Sequence, residues 1–313
     1  MPTFSKGGKG VKTPKKLMTN KTKEKIFIIA FLIPAVFFML VFLYYPAING
    51  IIMSFRDVKL YDINNKDFVG LDNYKAFFDL SFGKVMWKNT VLWLVLCVGL
   101  EFICGLSLAL LLQKNFRGRK IYESVVFVPW AISGFTVGVI WKWMFNGNSG
   151  VINDILVRMG ILETQFGFLS NSKTAFYSII VAKVWTGMAF FAIVIMAALK
   201  TVSQEMYEAA EIDGANGIQK FFFITLPSIR TLLLLTVLVR AIAMMNAPDL
   251  IFGMSGGGPA GRSHTISSYI MTTVISSTDY GELSAAGVIL WLLTLAISII
   301  YVIATNATKG SDE

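Results

Sequence analysis

The sequence predicts an all-α polytopic membrane protein with six transmembrane helices. Of its 313 residues, 55% are hydrophobic and only 15% are charged, and the mean hydropathy is +0.64, whereas soluble domains carry about 25% charged residues. Apolar runs of about 20 residues, the length that crosses a bilayer as a helix, recur along the chain. They do not alternate between apolar and polar residues, as barrel strands do, so helices are predicted.

The first predicted span covers residues 26–46 and follows a basic, disordered tail of residues 1–25. It could instead be a cleaved signal peptide, but its apolar core is too long and no small-x-small cleavage site follows. A loop of residues 47–88 separates it from a core of residues 89–305, and residues 306–313 form a second tail. The five spans of the core cover residues 89–112, 121–145, 174–199, 231–252 and 283–304.

Lysine and arginine lie mainly on one side of the predicted membrane: in the first tail, in residues 113–120 and in residues 201–230. Cytoplasmic loops carry an excess of these residues, so both termini are predicted in the cytoplasm, with residues 47–88 on the opposite side of the membrane. The net charge of +9 would also suit nucleic-acid binding. However, no fold presents the tail lysines, so a topology signal that meets anionic lipid is favoured and no nucleic-acid partner is expected.

The sequence contains no pattern typical of a stand-alone enzyme. Residues 256–263 imitate a phosphate loop, but Arg262 replaces its lysine, no strand precedes it, and the topology places it outside. His264 is the sole histidine, so neither a metal site nor a Ser/His/Asp group is expected. Cys97 and Cys104 lie on one helical face and are interpreted as packing residues.

The cytoplasmic segment of residues 201–230 interrupts the apolar pattern. Thr201 and Gln204 can form a capping box for a short helix that continues through Glu211. Two turn signals follow, because glycine adopts positive φ without steric cost: Asp213-Gly214 and Asn216-Gly217. Helical character resumes over residues 218–226, and Pro227 is predicted to interrupt the backbone hydrogen bonds before the next span. The segment is therefore predicted to be a helix-turn-helix.

The surface of this segment suits protein docking better than lipid. Amphipathic helices that lie on membranes are usually rich in Lys and Arg on their polar face, whereas the first turns here are acidic, with Glu208, Glu211 and Asp213. The neighbouring side chains are small and would let another protein approach the backbone: Ala209, Ala210, Gly214 and Ala215.

Residues 208–227 resemble the cytoplasmic signature of the membrane permease subunits of binding-protein-dependent ABC importers, in particular the sugar-type, maltose-like branch. That signature reads E-A-A, two residues, D-G-A, and a spacer that ends in L-P. The matching residues are Glu208-Ala209-Ala210, Asp213-Gly214-Ala215 and Leu226-Pro227. Further stretches similar to the branch are Phe68-Val69-Gly70-Leu71-Asp72-Asn73-Tyr74, Trp141-Lys142-Trp143-Met144-Phe145 and Gly256-Gly257-Gly258-Pro259.

The resemblance implies the type I ABC importer permease fold, a location in the plasma (inner) membrane of a prokaryote, and a set of partners. A second, homologous permease, two ATPase subunits that bind ATP and Mg²⁺, an extracytoplasmic solute-binding protein and a carbohydrate would complete the system. No cofactor is expected in this chain. The signature implies ATPase coupling for Glu208, Ala209, Ala210, Asp213, Gly214, Ala215, Leu226 and Pro227. The external loop Gly256-Gly257-Gly258-Pro259 would contact the binding protein.

Three charged residues, Glu101, Lys183 and Arg240, lie near the middle of predicted spans. A charge there costs about 2.5–3.5 kcal/mol on insertion scales, so each should face the interior, water or a partner. Two interpretations are open: Glu101 neutralises one of the two cations, or Arg240 lies on a translocation path with Asn246 and Asp249, as the resemblance implies. Because Ala243, Met245 and Pro248 replace aromatics common in the branch, an oligosaccharide or acidic sugar is hypothesised.

These observations predict the permease subunit of an ATP-driven carbohydrate importer. A self-sufficient secondary transporter is the main alternative, and it would show inverted repeats, broken helices at the midplane and ion-coupling residues. A receptor or scaffold without transport is the third possibility. The acidic cytoplasmic segment, which would have no purpose in a secondary transporter, favours the importer.

Overall fold

A computed structural model of the chain describes residues 20–62, 67–114 and 116–309. The predictions for residues 1–19 of the first tail and for residues 310–313 of the second lie outside the described residues. Within the described part of the chain the secondary structure is helical, with isolated β-bridges near residues 56–68 and 279 but no named strand.

The described residues form twelve helices, three of which contain a π-helical turn. In order they are α1 (Asn20–Met39 and Tyr45–Met53, joined by the π turn Leu40–Tyr44), α2 (Asp72–Phe78), α3 (Gly83–Gln113, with the π turn Trp93–Cys97), α4 (Arg119–Ala131), α5 (Gly134–Met144), α6 (Val151–Arg158), α7 (Ala175–Leu199), α8 (Gln204–Ile212), α9 (Gly217–Met245, with the π turn Phe221–Thr225), α10 (Asp249–Met254), α11 (Ile266–Ser276) and α12 (Tyr280–Lys309).

Five helices are long and apolar enough to cross a membrane, and a bent pair would make a sixth span. The five are Phe27–Met53, Gly83–Gln113, Ala175–Leu199, Gly217–Met245 and Tyr280–Thr305. The most apolar 18-residue stretch of Phe27–Met53 has a mean hydropathy of 2.8, and none of that stretch is buried. This exposure suits a helix that faces lipid. Pro34 lies inside it and leaves the helix assignment intact.

The third predicted span is not one straight helix. Residues 121–145 divide into α4 and α5, which meet at an angle of 100°. Pro129 cannot donate a backbone hydrogen bond, and Ile132 and Ser133 then adopt ψ values of 137° and 136°, outside the helical region. The prediction of a continuous helix here was therefore wrong.

The fifth predicted span also ends early. Residues 231–252 were predicted as one helix, but α9 stops at Met245 and the short helix α10 begins at Asp249. Pro248 lies in the break, and the residue before a proline avoids helical backbone. Residues 246–248 therefore form a connection between two helices.

Glycines allow the helices of the core to approach one another closely. A Cβ on Gly105 of α3 would overlap the Cβ of Phe191 and crowd the backbone of α7. Gly138 of α5 and Gly253 of α10 lie against each other's helix backbone in the same way. Close packing at small residues is the usual means of helix association in membranes, since lipid removes the hydrophobic driving force.

Two clusters of buried apolar residues make up the core. The larger one joins α3, α5, α7, α9 and α10, and includes Trp93, Phe191 and Met254. The smaller one joins α2, α11 and α12 around Phe77 and Ile266. These clusters fix the helix positions that carry the polar groups described next.

Candidate functional site

The first arm of the hairpin predicted for residues 201–230 is α8, and its N-cap is Ser203. The Ser203 hydroxyl accepts a hydrogen bond from the Glu205 backbone N–H at 3.3 Å. Thr201 still belongs to the end of the preceding helix, because its hydroxyl donates to the Ala198 carbonyl at 2.8 Å. The predicted capping box of Thr201 and Gln204 was therefore wrong.

A capping box does occur at the start of the second arm. The Asn216 side chain accepts from the Gln219 N–H at 2.9 Å, and the Gln219 side chain accepts from the Asn216 N–H at 2.8 Å. Between the arms, Gly214 has a φ of +79°, which side chains other than glycine rarely adopt, and open space surrounds it. The predicted helix-turn-helix is present, with its turn at Gly214.

The second arm continues without interruption into the transmembrane helix α9. Pro227 lies in the first turn of the segment Leu226–Met245, directly after the π turn Phe221–Thr225. Proline has no backbone N–H to donate, and the irregular hydrogen bonding of the π turn tolerates this missing hydrogen bond. The helix therefore persists through this point. Pro227 is thus a residue without a backbone N–H to donate, as predicted, but the helix does not end there.

The residues of the signature divide between two faces of the hairpin. Glu208, Ala209, Asp213 and Gly214 are exposed, and so is Pro227. The half-buried members are Ala210, Ala215 and Leu226. The exposed set forms a small, acidic surface, and Tyr207, half-buried, lies on the opposite side. The sequence did not single out Tyr207, although its position next to the acidic face in a short helix indicates an inward side chain.

Glu101 and Arg240 form a two-pronged ion pair inside the helical core. Arg240 donates from Nε to Glu101 Oε2 at 2.6 Å and from Nη2 to Oε1 at 3.0 Å. The Glu101 side chain is fully buried, whereas that of Arg240 is 13% exposed. The Arg240 guanidinium also lies 5.2 Å from the centroid of the Phe190 ring, a favourable cation–π distance. The pair connects α3 with α9.

Gly187 of α7 makes room for this pair. A Cβ at Gly187 would overlap the Glu101 carboxylate, so only glycine lets the carboxylate lie against the helix backbone. The sequence analysis missed Gly187 and Phe190. The spacing along the sequence could have indicated Gly187, because it follows Lys183 by four residues and so lies on the same face of α7.

Lys183 does not contact Glu101. Its side chain is buried, and among the described residues no carboxylate oxygen lies within 4.0 Å of its ammonium. Glu101, Arg240 and Asp249 are close enough to interact with it electrostatically. Of the two cations considered from the sequence, Arg240 is thus the one that contacts Glu101.

Asn246 and Asp249 lie at the break between α9 and α10 rather than on the ion pair. Asn246 is exposed and donates its side-chain amide to the Ile242 carbonyl at 3.0 Å. The Asp249 side chain lies against Gly134, the first residue of α5, where the helix dipole favours a negative charge. Within the described residues, no hydrogen bond joins either side chain to Arg240.

The loop between α10 and α11 contains residues 256–259 and is held by buried polar contacts. The Asn89 amide of α3 donates to the carbonyls of Arg262 at 2.8 Å and His264 at 3.0 Å. The His264 ring lies against Gly257 and 3.2 Å from the Ser268 hydroxyl. Burial lowers the pKa of His264 to about 4, so the ring is neutral at physiological pH. Asn89 was not identified from the sequence.

The described residues offer no metal centre. No group of three or more His, Cys, Asp and Glu side chains within residues 20–62, 67–114 and 116–309 is placed to hold a metal ion. The candidate groups for function in this part of the chain are therefore the hairpin surface, the buried ion pair and the loop of residues 256–259.

Comparison with known families identifies the chain. Residues 101–309 match the model of the binding-protein-dependent transport system inner membrane component. The chain belongs to this family. Its members are permease subunits of ABC transporters rather than enzymes, and the chain is accordingly a multi-pass membrane permease.

Curated relatives of this permease align over most of its length. The sulfoquinovosyl glycerol transport system permease protein SmoG of Agrobacterium fabrum is 31% identical over 89% of this chain and 90% of that one. The trehalose/maltose transport system permease protein MalF of Thermococcus litoralis is 32% identical over 91% of this chain and 96% of that one.

A solved structure shares the fold of the permease. A chain of a bacterial alginate ABC transporter, in complex with an alginate pentasaccharide-bound periplasmic protein, superposes with a TM-score of 0.78 at 23% identity, covering 92% of this chain and 96% of that one. The predicted ABC importer permease fold is confirmed. The secondary transporter is not favoured, although the broken pair α4 and α5 is a feature that such transporters also contain.

Proposed function

We propose that this permease forms half of the translocation pathway of an ATP-driven carbohydrate importer and couples to its ATPase subunits through the hairpin of α8 and the start of α9. The observation that carries the proposal is the exposed, small and acidic face of α8, formed by residues of the E-A-A and D-G-A signature. A surface with little side-chain bulk lets another protein contact the backbone.

The assembly would contain a second, homologous permease, two ATPase subunits and an extracytoplasmic solute-binding protein. ATP and Mg²⁺ would bind to the ATPase subunits, which supply the hydrolysis that this chain does not perform. Both termini would lie in the cytoplasm, as the distribution of Lys and Arg predicts. The loop of residues 256–259 would then face outward, where the solute-binding protein docks.

A carbohydrate is the solute class that the relatives favour. SmoG and MalF are described as permeases for sulfoquinovosyl glycerol and for trehalose and maltose. In this chain the Arg240 guanidinium already binds the Glu101 carboxylate. We therefore assign Arg240 and Glu101 a structural role, which is to connect the helices of the pathway. The polar groups proposed to meet the solute are Asn246 and Asp249, with Lys183 as the remaining cation toward an acidic sugar.

Capture of the ATPase subunit tests the proposal. The permease is purified through an affinity tag from cells that express the whole importer, and the bound ATPase is quantified. Gly214→Asp should abolish capture, because φ at this position is +79° and the added side chain lies on the docking face. The permease should still insert into the membrane.

Gly118→Asp is the matched control. Gly118 also has a positive φ, +88°, and open space around it, and it lies in another predicted cytoplasmic turn. This variant should retain capture. Wild-type protein that captures no ATPase, or a Gly214→Asp variant that captures it normally, would contradict the proposed coupling.

A further inference from the structure

Tyr207 and Thr225 join the two arms of the cytoplasmic hairpin by a hydrogen bond. Their hydroxyl oxygens lie 2.8 Å apart. The Thr225 hydroxyl also donates to the Lys220 carbonyl at 3.3 Å. A threonine hydroxyl has a single hydrogen, so Tyr207 is the donor to Thr225. The result is a chain of hydrogen bonds from α8 to the backbone of α9.

This chain of hydrogen bonds ends at the π turn within the first third of α9. Thr225 is the last residue of the turn Phe221–Thr225, and it is buried, with 5% of its surface exposed. Single π turns within α-helices frequently occur at functional positions. Two residues later, Pro227 withholds a backbone N–H from the helix. The side-chain bond from Tyr207 therefore reaches α9 where its backbone hydrogen bonding is least regular.

The other link between the arms is weaker. Lys220 forms an ion pair with Glu211, but the Glu211 side chain is 65% exposed. Exposed ion pairs contribute about 0–1 kcal/mol and are screened by salt. The Tyr207–Thr225 hydrogen bond is part-buried, with Thr225 itself 5% exposed, so water competes with it less than with the ion pair. It is therefore the stiffer of the two connections.

Tyr207 faces away from the docking surface. It is half-buried, whereas its neighbours Glu208 and Ala209 are exposed. One short helix thus presents Glu208 and Ala209 outward and directs the Tyr207 hydroxyl toward Thr225 of α9. From Thr225, α9 continues to Arg240, whose guanidinium binds Glu101 of α3.

We propose that Tyr207 is a positioning residue that transmits movement of the hairpin to α9 through Thr225, an inference that rests on the proposed coupling to an ATPase. A rigid link makes α8 and α9 move as one body. Without it, the π turn absorbs the movement, and ATP hydrolysis no longer responds to events on the other side of the membrane.

The test uses the whole importer, purified through this permease and reconstituted in lipid nanodiscs. ATPase capture is measured first, and ATP hydrolysis is then compared with and without the solute-binding protein. Tyr207→Phe removes only the hydroxyl and should leave capture unchanged. Stimulation by the binding protein should fall roughly two- to tenfold, the range expected from loss of one protected hydrogen bond.

Variants of Thr225 separate this link from a general loss of stability. Thr225→Val should reproduce the effect, Thr225→Ser should keep wild-type stimulation, and the double variant with Tyr207→Phe should be no worse than either single variant. Tyr122→Phe is the matched control, since Tyr122 is exposed and its hydroxyl has no hydrogen-bond partner among the described residues. It should behave as wild type.

Normal stimulation in Tyr207→Phe would overturn the inference while leaving the proposed coupling intact. Losses that multiply in the double variant would also overturn it, because independent effects mean that the two hydroxyls do not act together. If the wild-type permease captures no ATPase at all, the proposed function itself fails, and this inference fails with it.

Discussion

Arg240 binds Glu101 through two parallel hydrogen bonds, although the two residues are 139 positions apart in the sequence. The pair neutralises two charges that would each be costly inside a bilayer, and it connects α3 to α9. Breaking such a pair from one side leaves a buried, uncompensated charge.

Removal of one partner should therefore be far more damaging than removal of both. We expect Glu101→Ala to lower the free energy of unfolding by about 3–5 kcal/mol, because Arg240 then lies buried without a counter-charge. The double variant Glu101→Leu with Arg240→Met should recover much of this loss. Thermal unfolding in detergent micelles measures the three proteins side by side.

Glu123→Ala is the control for that series. Glu123 forms an ion pair with Arg119 one helical turn away, and both side chains are partly exposed. The change should cost less than about 1 kcal/mol. A double variant at Glu101 and Arg240 that is no more stable than Glu101→Ala would show that charge compensation is not what the pair provides.

Gly187 should tolerate no side chain. Gly187→Ala places a methyl group where the Glu101 carboxylate lies, and overpacking of this kind typically costs about 1–3 kcal/mol. Gly99→Ala, with nothing within 4 Å of the added Cβ, should be neutral or slightly stabilising, since alanine favours helix by about 1 kcal/mol. Unfolding temperatures that fall equally in the two variants would argue against the steric role of Gly187.

Asn89 should hold the loop between α10 and α11 in place. Asn89→Ala removes two hydrogen bonds to the carbonyls of Arg262 and His264 and leaves the acceptor of the buried His264 without this donor, a loss of about 1–3 kcal/mol. Hydrogen–deuterium exchange of residues 255–265 should become faster. Asn148→Ala, at an exposed position, is the control and should leave exchange in this loop unchanged. Equal exchange rates in the wild type and in Asn89→Ala would show that Asn89 does not hold the loop.

The same loop should lose stability in mild acid. The pKa of His264 is lowered from 6.5 to about 4 by burial, so the folded loop binds a proton less readily than the unfolded chain. The contribution of neutral His264 to the stability of the folded loop is fully present above pH 6.5 and is lost as the pH falls toward 4. The loss is about 1 kcal/mol between pH 7 and pH 5.5.

Exchange rates of residues 262–268 measured over this pH range, after correction for intrinsic exchange, check the expectation. His264→Gln removes the titrating group and should flatten the dependence. A pH dependence that persists unchanged in His264→Gln would assign the effect to another group.

Much of the architecture was predictable because membrane helices carry their signal in composition. Hydropathy predicted where the spans lie, and the residues from Glu208 to Pro227 predicted both the hairpin and the family. The bend between α4 and α5 was not predictable in the same way, because Pro129 is tolerated in many spans and the extended backbone at Ile132 and Ser133 has no compositional mark.

The polar contacts were predictable only in part. Glu101, Lys183 and Arg240 were visible as charges in apolar runs, but the choice of Arg240 as the partner depends on how α3, α7 and α9 pack. The bond between Tyr207 and Thr225 joins residues 18 apart across a turn and a π turn. No sequence period specifies that geometry, since π turns lack a reliable sequence pattern.

The most direct test of the account is cross-linking from the exposed tip of the hairpin. With Cys97 and Cys104 replaced by alanine, Ile212→Cys, at a position that is 88% exposed, is treated with a short thiol cross-linker in membranes that contain the whole importer. We predict a covalent product with the ATPase subunit, whereas Ile161→Cys, also exposed (62%) but on the predicted external side, gives none. Labelling of Ile212→Cys by a membrane-impermeant maleimide in intact cells, with no ATPase product, would contradict the account.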